Sequence, residues 1–273
     1  MKERCCDPNL NNKQRGAALL LITVVLALFF ASILLAGLSP VSGRSTKQER
    51  TYAALAGAKE LLVNYALLSD RLPGSPGIGF LPCPDRDGDG LSDSPCGLPG
   101  NSEEGWLPWQ TLGSPPLRDG DGVCLRYAVS GNYKIAPALP LVKAPPTPGH
   151  FVIRAPNNVI RIGSAPGDLA LAVVFASAAT VAGQSRNAGG SAATACGSAN
   201  LAAAVNRVEN YLDQLDSVDN AQGLFSGPGQ PGSVPLPTNI PSVFMQADAV
   251  DGFNDQLIWI GPRDFAEVYG RMP

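Results

Sequence analysis

The sequence has a single histidine, His150, and no Cys-x-x-Cys pair, so a zinc site is not expected. His150 is also the only candidate base for Ser-His-Asp chemistry, and no Gly-x-Ser-x-Gly motif lies near it. We therefore interpret it as a lone surface side chain. The chain also lacks a glycine-rich phosphate loop ending in Lys-Ser or Lys-Thr. These absences predict a protein that is not an enzyme.

Charge is scarce as well. Charged residues make up 16% of the chain, and 20 basic against 23 acidic residues give a net charge of −3. Nucleic-acid binding is not expected without a basic excess. Glycine and proline are instead abundant, at 30 and 25 residues. This composition is typical of a loop-rich exported domain rather than a helical cytosolic enzyme.

The N-terminus combines a basic leader with a long apolar run. Lys13-Gln14-Arg15-Gly16 is followed directly by Ala17–Leu38, 22 residues without a charge. At about 1.5 Å per residue a helix of this length rises roughly 33 Å, the thickness of a bilayer core. Basic residues before the run predict a cytoplasmic N-terminus and an exported remainder. We therefore expect a transmembrane helix at 17–38.

This junction resembles the signal of type IV prepilins and type II secretion pseudopilins. The resemblance implies that a prepilin peptidase cuts between Gly16 and Ala17 and that the new N-terminus is methylated. It implies a single pass through the inner membrane with a periplasmic domain, followed by assembly with other pilin subunits through Ala17–Leu38. Most members of the family carry Glu at the fifth mature position, where this chain has Leu21. Members without it are typically minor subunits, including one proposed to cap the fibre tip.

Further motifs are similar, in the same order, to a group of poorly characterised pseudopilin-like proteins. The resemblance covers most of the chain after Gly16 and provides no catalytic residues. The matching segments are Leu81–Asp85, Asp87–Gly90, Gly105–Trp109, Thr111–Gly113, Leu125–Val129, Phe175-Ala176, Gly183-Gln184 with Arg186, and Phe253–Asp255.

The patterning divides the chain into four parts. We expect a leader at 1–16, a transmembrane and fibre-core helix at 17–38, an amphipathic helix at 39–69, and a periplasmic globular domain at 70–273. Pro40 and Gly43 predict a kink or break in the helix. The fold class is α+β, with a long N-terminal hydrophobic helix packed on a mostly antiparallel sheet with long Pro/Gly-rich loops. Strands are predicted at Cys124–Val129, Phe151–Arg154, Val159–Ile162, Leu169–Ala176 and Leu257–Ile260, a short helix at Asn200–Leu215, and loops at Gly183–Ser198 and Gly223–Pro241.

Four cysteines follow the leader, an even number that in an exported domain predicts two disulfides. Three pairings are possible. We favour Cys83–Cys96, which closes one short loop and leaves Cys124–Cys196. Free buried thiols are the alternative.

The acidic loop, residues 85–93, carries the clearest chemical motif. In the EF-hand pattern, Asp85, Asp87 and Asp89 match positions 1, 3 and 5, the Leu91 carbonyl matches position 7, and Asp93 matches position 9. Cys96 stands where the bidentate Glu belongs, so Glu103 or Glu104 would have to complete the shell. Oxygen ligands favour Ca²⁺. The alternative is a solvated turn whose aspartates cap their own backbone.

Trp106 and Trp109 form either a carbohydrate or partner platform or a cover over the core, and we favour the cover. The function we expect is that of a minor pilin or pseudopilin, a structural subunit of a type IV pilus-like or type II secretion fibre. One alternative is an uncleaved, membrane-anchored periplasmic binding or adhesion domain stabilised by calcium. A second is a secreted hydrolase with an unusual signal peptide.

Overall fold

The computed structural model describes residues 10–144, 146–186, 194–227 and 236–272. Within the first helix it describes side chains for 19–33 and from residue 45 onward. The chain divides into two compact units, Met1–Gln48 and Glu49–Pro273. The first helix, α1, runs from Leu10 to Leu68 and continues through 40–43, where a kink or break was predicted.

The prediction of a long hydrophobic helix packed on the sheet is wrong. The described apolar part of α1 covers only residues 19–33, and its side chains are exposed, with Leu21 at 67% and Phe29 at 60%. Fifteen helical residues rise only about 22 Å, less than the bilayer core. None of the described helices is both long enough and apolar enough to cross a membrane. Residues 17, 18 and 34–38 of the predicted span lie outside the described side chains.

The part of α1 that packs on the sheet is instead its amphipathic C-terminal segment. Leu55, Ala58, Leu62 and Ala66 recur at helical spacing, and each is at most 2% exposed. They share one core cluster with side chains of the largest sheet. The helix ends at Leu68, and the hydroxyl of the next residue, Ser69, donates to the Ala66 carbonyl and accepts from the Phe80 N–H. The predicted helix therefore has a buried apolar face in its described part, and residues 39–44 lie outside the described side chains.

Ten strands and a short C-terminal helix make up the rest of the described architecture. The strands are β1 (Glu103–Trp106), β2 (Arg126–Val129), β3 (Phe151–Ala155), β4 (Val159–Ile162), β5 (Ala172–Ala176), β6 (Gln214–Leu215), β7 (Val218–Asp219), β8 (Leu224–Phe225), β9 (Ser242–Met245) and β10 (Gln256–Ile260), and the helix α2 is Ala266–Arg271.

The largest sheet has the order β1-β2-β5-β10, with every pairing antiparallel. Alternate residues of its strands point to opposite faces. Tyr127 and Val174 belong to the cluster that includes α1, whereas Phe175 packs edge-on against Phe244 of β9 at 4.9 Å. Both faces of this sheet are therefore buried, and the coarse α+β class is consistent with the structure.

A second sheet has the order β4-β3-β9 and contains a parallel pair, β3 with β9. A third, small sheet contains β6, β7 and β8. In the second sheet the β3–β4 register shifts: Ile153 pairs with Ile162, and the next residue, Arg154, pairs with Ile160. Arg161 is therefore the extra residue of a β-bulge.

All five predicted strand regions contain an observed strand: β2, β3, β4, β5 and β10. The predicted helix at Asn200–Leu215 is wrong, because the segment forms two short 3₁₀ turns, Ala204–Asn206 and Val208–Asn210. The Asn206 carboxamide donates to the Ser198 and Asn200 carbonyls, and such local bonds compete with a helix. Parts of both predicted long loops, 187–193 and 228–235, lie outside the described residues.

Candidate functional site

The backbone of the acidic loop is held in place by a disulfide and by a bridge to β1. The Cys83–Cys96 disulfide closes the loop two residues before Asp85, which confirms the favoured pairing. Asp85 then forms a backbone bridge to Trp106 of β1, with N···O distances of 3.0 and 2.6 Å. The loop is therefore anchored on the edge strand of the largest sheet.

The Asp85 side chain lies at the centre of the loop and is fully buried. Its Oδ1 accepts from the N–H groups of Asp87 and Gly88, at 3.1 and 2.6 Å, and its Oδ2 accepts from Gly90 N–H at 2.7 Å. Burial raises the pKa of Asp85 to about 7, although the bonds from Gly90 and Gly88 act to lower it. One side chain thus organises the backbone of the whole turn.

Asp87 and Asp89 bring two more carboxylates to the same point. Oxygen atoms of Asp85, Asp87 and Asp89 lie within 4.8 Å of one another. Asp87 Oδ1 accepts from Asp89 N–H, and Asp89 Oδ1 accepts from Leu91 N–H, at 3.0 and 2.7 Å. Three carboxylates that converge on one point suit a hard cation such as Ca²⁺. They supply fewer than the six to eight oxygens that Ca²⁺ takes, so water and carbonyl groups would have to complete the shell.

The carboxylates of the other predicted ligands, Asp93, Glu103 and Glu104, do not join this cluster. Asp93 Oδ2 accepts from Arg86 N–H at 2.7 Å and so closes the loop. The side chain of Leu91 is 48% exposed, and only its carbonyl was predicted to bind. Glu104 forms an ion pair with Arg126 at 2.5 Å, and the Glu103 carboxylate lies against Gly97. Among the described residues, the group that can share one ion is therefore Asp85, Asp87 and Asp89.

A second disulfide docks a distant segment onto the loop. Cys124–Cys196 confirms the other half of the favoured pairing. Cys196 N–H donates to the Gly88 carbonyl at 2.9 Å, and Thr194 Oγ1 donates to the Asp87 carbonyl at 2.5 Å. A Cβ on Gly88 would lie 2.2 Å from the backbone nitrogen of Gly197, so only glycine fits. Sequence reasoning missed this contact, since only the cysteine pairing pointed to it.

The two tryptophans are part of the packing, as we favoured. Trp106 is 1% exposed and packs edge-on against Tyr211 at 4.8 Å. The guanidinium of Arg126 lies 4.5 Å from the centre of the Trp106 ring. Trp109 is half-buried, and a Cβ on Gly90 would lie 2.3 Å from its ring. Trp109 therefore supports the acidic loop from the side.

A second carboxylate cluster unites the later motifs of the resemblance. Gln184 Nε2 donates to Asp213 Oδ1 at 2.8 Å, and Arg186 Nη2 donates to Gln184 Oε1 at 2.9 Å. Asn254 N–H donates to Asp213 Oδ2, and Asp213 N–H donates to Asp255 Oδ2, at 2.8 and 2.7 Å. We call this group the Asp213–Asp255 cluster. Its bonds join three distant segments, so these motifs have a structural role.

Asp255 is the most deeply buried member of that cluster. It is fully buried, and its Oδ1 has no hydrogen-bond partner among the described residues. Burial raises the pKa of Asp255 to about 8, and the charge of Asp213 acts in the same direction. At neutral pH the protonated carboxyl is therefore the favoured form in the folded protein.

The interpretation of His150 as a surface residue is wrong. It is 9% exposed, and its Nδ1 lies 3.1 Å from Ser102 Oγ. Ser102 is fully buried, and its hydroxyl also accepts from Gly131 N–H at 3.2 Å. A nucleophile has to reach a substrate, so this pair is part of the packing rather than a catalytic dyad.

The predicted processing residues, Gly16 and Ala17, fall within α1, but their side chains lie outside the described part of the structure. Comparisons of this chain with family models, with curated proteins and with solved structures find no match.

Proposed function

We propose that this chain is a minor pilin-like or pseudopilin-like structural subunit. The observation that carries the proposal is the junction at Gly16, where a basic leader meets an apolar run at its first residue. In this proposal a prepilin peptidase cuts before Ala17 and the new N-terminus is methylated. The segment that follows then packs against neighbouring subunits in a pilus or pseudopilus.

Two features of the folded domain support this role. The C-terminal part of α1 packs on an antiparallel sheet, so a domain is attached directly to the helix that would enter a fibre. Two disulfides fit an exported protein in an oxidising compartment, which we take to be the periplasm.

The residue at the fifth mature position suggests where the subunit sits. Leu21 replaces the usual Glu, and its side chain is 67% exposed. A subunit at the tip has no neighbour above it and loses least from the missing carboxylate. We therefore propose a tip or initiating position. If Leu21→Glu had no effect and the protein were found along whole fibres, this position would be excluded.

We further propose that Ca²⁺ binds the acidic loop and stabilises the domain. Asp85, Asp87 and Asp89 are the carboxylate ligands, with the Leu91 carbonyl and water as additional oxygens. The convergence of the three carboxylates supports this assignment. Asp93 then acts by closing the loop through Arg86.

The decisive experiment is the intact mass and N-terminal sequence of the protein from a host with a prepilin peptidase. The proposal expects a methylated start at Ala17 that is lost in Gly16→Val. Gly57→Val is the matched control, since a Cβ at this position of the same helix meets nothing within 4 Å. A start at Met1 would favour the anchored binding domain, and cleavage beyond Leu38 would favour the secreted hydrolase.

A further inference from the structure

The Glu49–Pro273 unit contains a cleft that is lined by α1, β4, β10 and the turn after β10. A cavity of about 580 Å³ is bordered by Tyr52, Lys59, Arg161, Trp259 and Arg263, among others. A second cavity of about 310 Å³ shares Tyr52, Arg161 and Gln246 with it. We call the two cavities together the Arg161 cleft. Their size is in the range of small-ligand sites, about 300–1,000 Å³.

The β-bulge in β4 explains how Arg161 comes to line both cavities. Ile160 and Ile162 keep their partners on β3, while Arg161 is the unpaired residue between them. A bulge redirects a side chain and interrupts the strand edge. An added strand from a partner protein would need a regular edge, so the bulge disfavours that kind of occupant.

Two of the three carboxylates of the cleft, Asp264 and Asp168, are already engaged, and the third, Asp248, borders only the smaller cavity. Asp264 pairs with Lys59 at 2.7 Å and accepts from Gly261 N–H at 2.8 Å. Asp168 accepts from Gly163 N–H at 3.2 Å. Among the described residues, no acceptor lies within bonding distance of the Arg161 or Arg263 guanidinium. The larger cavity thus holds two arginines and a lysine against two carboxylates, and Asp248 brings a third carboxylate to the smaller cavity.

Aromatic and amide groups accompany the two arginines. Tyr52 is 54% exposed, and Trp259 and Gln246 are half-buried. The face of an aromatic ring is electron-rich and attracts the C–H groups of a sugar ring. A carboxamide offers both a donor and an acceptor for hydroxyl groups. Guanidinium groups pair with carboxylates in a two-pronged geometry.

We propose that the Arg161 cleft binds an acidic saccharide of the uronate class. Arg161 and Arg263 bind its carboxylate, Trp259 and Tyr52 pack on its ring, and Gln246 bonds its hydroxyl groups. This site goes beyond the proposed function and does not depend on it, because every lining residue belongs to the Glu49–Pro273 unit.

The test is a titration of the full-length chain with tri-galacturonate, followed by calorimetry and by tryptophan fluorescence. We expect saturable binding that weakens about tenfold or more in Arg161→Gln and in Arg263→Gln, since each loses a charge-assisted bond. Arg207→Gln, at another exposed arginine, is the matched control and keeps wild-type affinity. In Trp259→Phe we expect the fluorescence change to disappear.

Four results would overturn the proposal. One is the absence of saturable binding at millimolar tri-galacturonate with correctly folded protein. A second is equal affinity for the neutral trisaccharide maltotriose, which would remove the role of the arginines. A third is equal affinity for tri-glutamate, which would show a general carboxylate site. An equal loss in Arg207→Gln would show unspecific attraction by charge.

Discussion

The acidic loop and the Asp213–Asp255 cluster both gather aspartates, but they balance the charge differently. In the acidic loop, three carboxylates meet, and backbone N–H groups hold them in place. In the Asp213–Asp255 cluster, Arg186 reaches the carboxylates through Gln184, and Asn220 donates to Asp255 at 3.0 Å. The first arrangement can accept a cation from outside, whereas in the second Asp213 N–H and Asn220 bond to one oxygen of Asp255 and the whole side chain is buried.

The two regions also differ in how deeply their aspartates are buried. Asp89 is exposed and Asp87 half-buried, so an ion can reach them from solvent. Asp255 is fully buried, and its bonds connect residues more than 30 positions apart in the chain, such as Asn220. Loss of an aspartate should therefore affect ion binding in the first region and folding stability in the second.

The largest effect is expected from Asp255→Ala. It leaves Asp213 N–H without an acceptor inside the protein and removes one of the two acceptors of the Asn220 carboxamide, which keeps the Met245 carbonyl. Each unsatisfied buried group costs about 1–3 kcal/mol, so the free energy of unfolding should fall by roughly 2–5 kcal/mol in a urea titration. Asp87→Ala without calcium should change it by less than about 1 kcal/mol, because it removes like charge at the surface. Equal losses in the two variants would contradict the distinction between the regions.

Next in size is the dependence of stability on pH. The pKa of Asp255 is about 8 in the folded protein and about 4 in the unfolded chain, so between these values the folded state holds the extra proton. Stability should therefore fall as the pH rises from about 4 to 8, by on the order of 1 kcal/mol per pH unit. Asp255→Asn keeps the shape of the side chain but cannot titrate, so it should remove the part of the pH dependence of stability that Asp255 causes.

Part of the pH dependence that remains in Asp255→Asn should come from Asp85, whose pKa is raised to about 7. Urea titrations of both proteins across this pH range measure the difference. If the variant kept the full slope, Asp255 would not be the group that titrates.

A smaller effect is expected from Gly90→Ala. The φ of Gly90 is +98°, and its added Cβ would lie 2.3 Å from the Trp109 ring, so the variant combines backbone strain with overpacking. We expect a loss of about 2 kcal/mol. Gly252→Ala is the matched control, because its φ is +77° but its Cβ meets nothing within 4 Å. A smaller loss in the control, by thermal melting, would isolate the contribution of Trp109.

The smallest expected effect is stabilisation by calcium. At tenfold excess over the Kd, binding to the folded state alone adds about 1.4 kcal/mol to the free energy of unfolding and raises the melting temperature. Asp87→Asn should lose this response, whereas Asp255→Asn and the exposed-site control Asp248→Asn should keep it. An identical melt in calcium and in EDTA would exclude the calcium site.

The sequence allowed good predictions where the signal was local. The buried face of α1 was predictable because its apolar residues recur at helical spacing, at Leu55, Ala58, Leu62 and Ala66. The β-branched runs at β4 and β5 identify strands for the same reason. Cys83 and Cys96 are close enough in sequence to favour their own bridge. The spacing of Asp85, Asp87 and Asp89 likewise predicted that their carboxylates would meet.

Predictions failed where contacts between residues distant in the sequence determine the local structure. The apolar run at 17–38 was predicted to be part of a long helix packed on the sheet, but its described side chains, at 19–33, are exposed. The helix predicted at 200–215 gave way to turns because Asn206 bonds to carbonyls upstream. Strand β9 was missed, and its register is set by the parallel pairing with β3, some 90 residues earlier.

By itself, the sequence determined the amphipathic face of α1, the five strand regions and the acidic loop, because each depends on neighbours in the chain. Only the tertiary structure decided that Thr194 and Cys196 bond to this loop, that Asp213 meets Asp255, and that Arg161 and Trp259 line one cavity. Those contacts join residues far apart in sequence, and packing and buried hydrogen bonds select them only once the whole chain is folded.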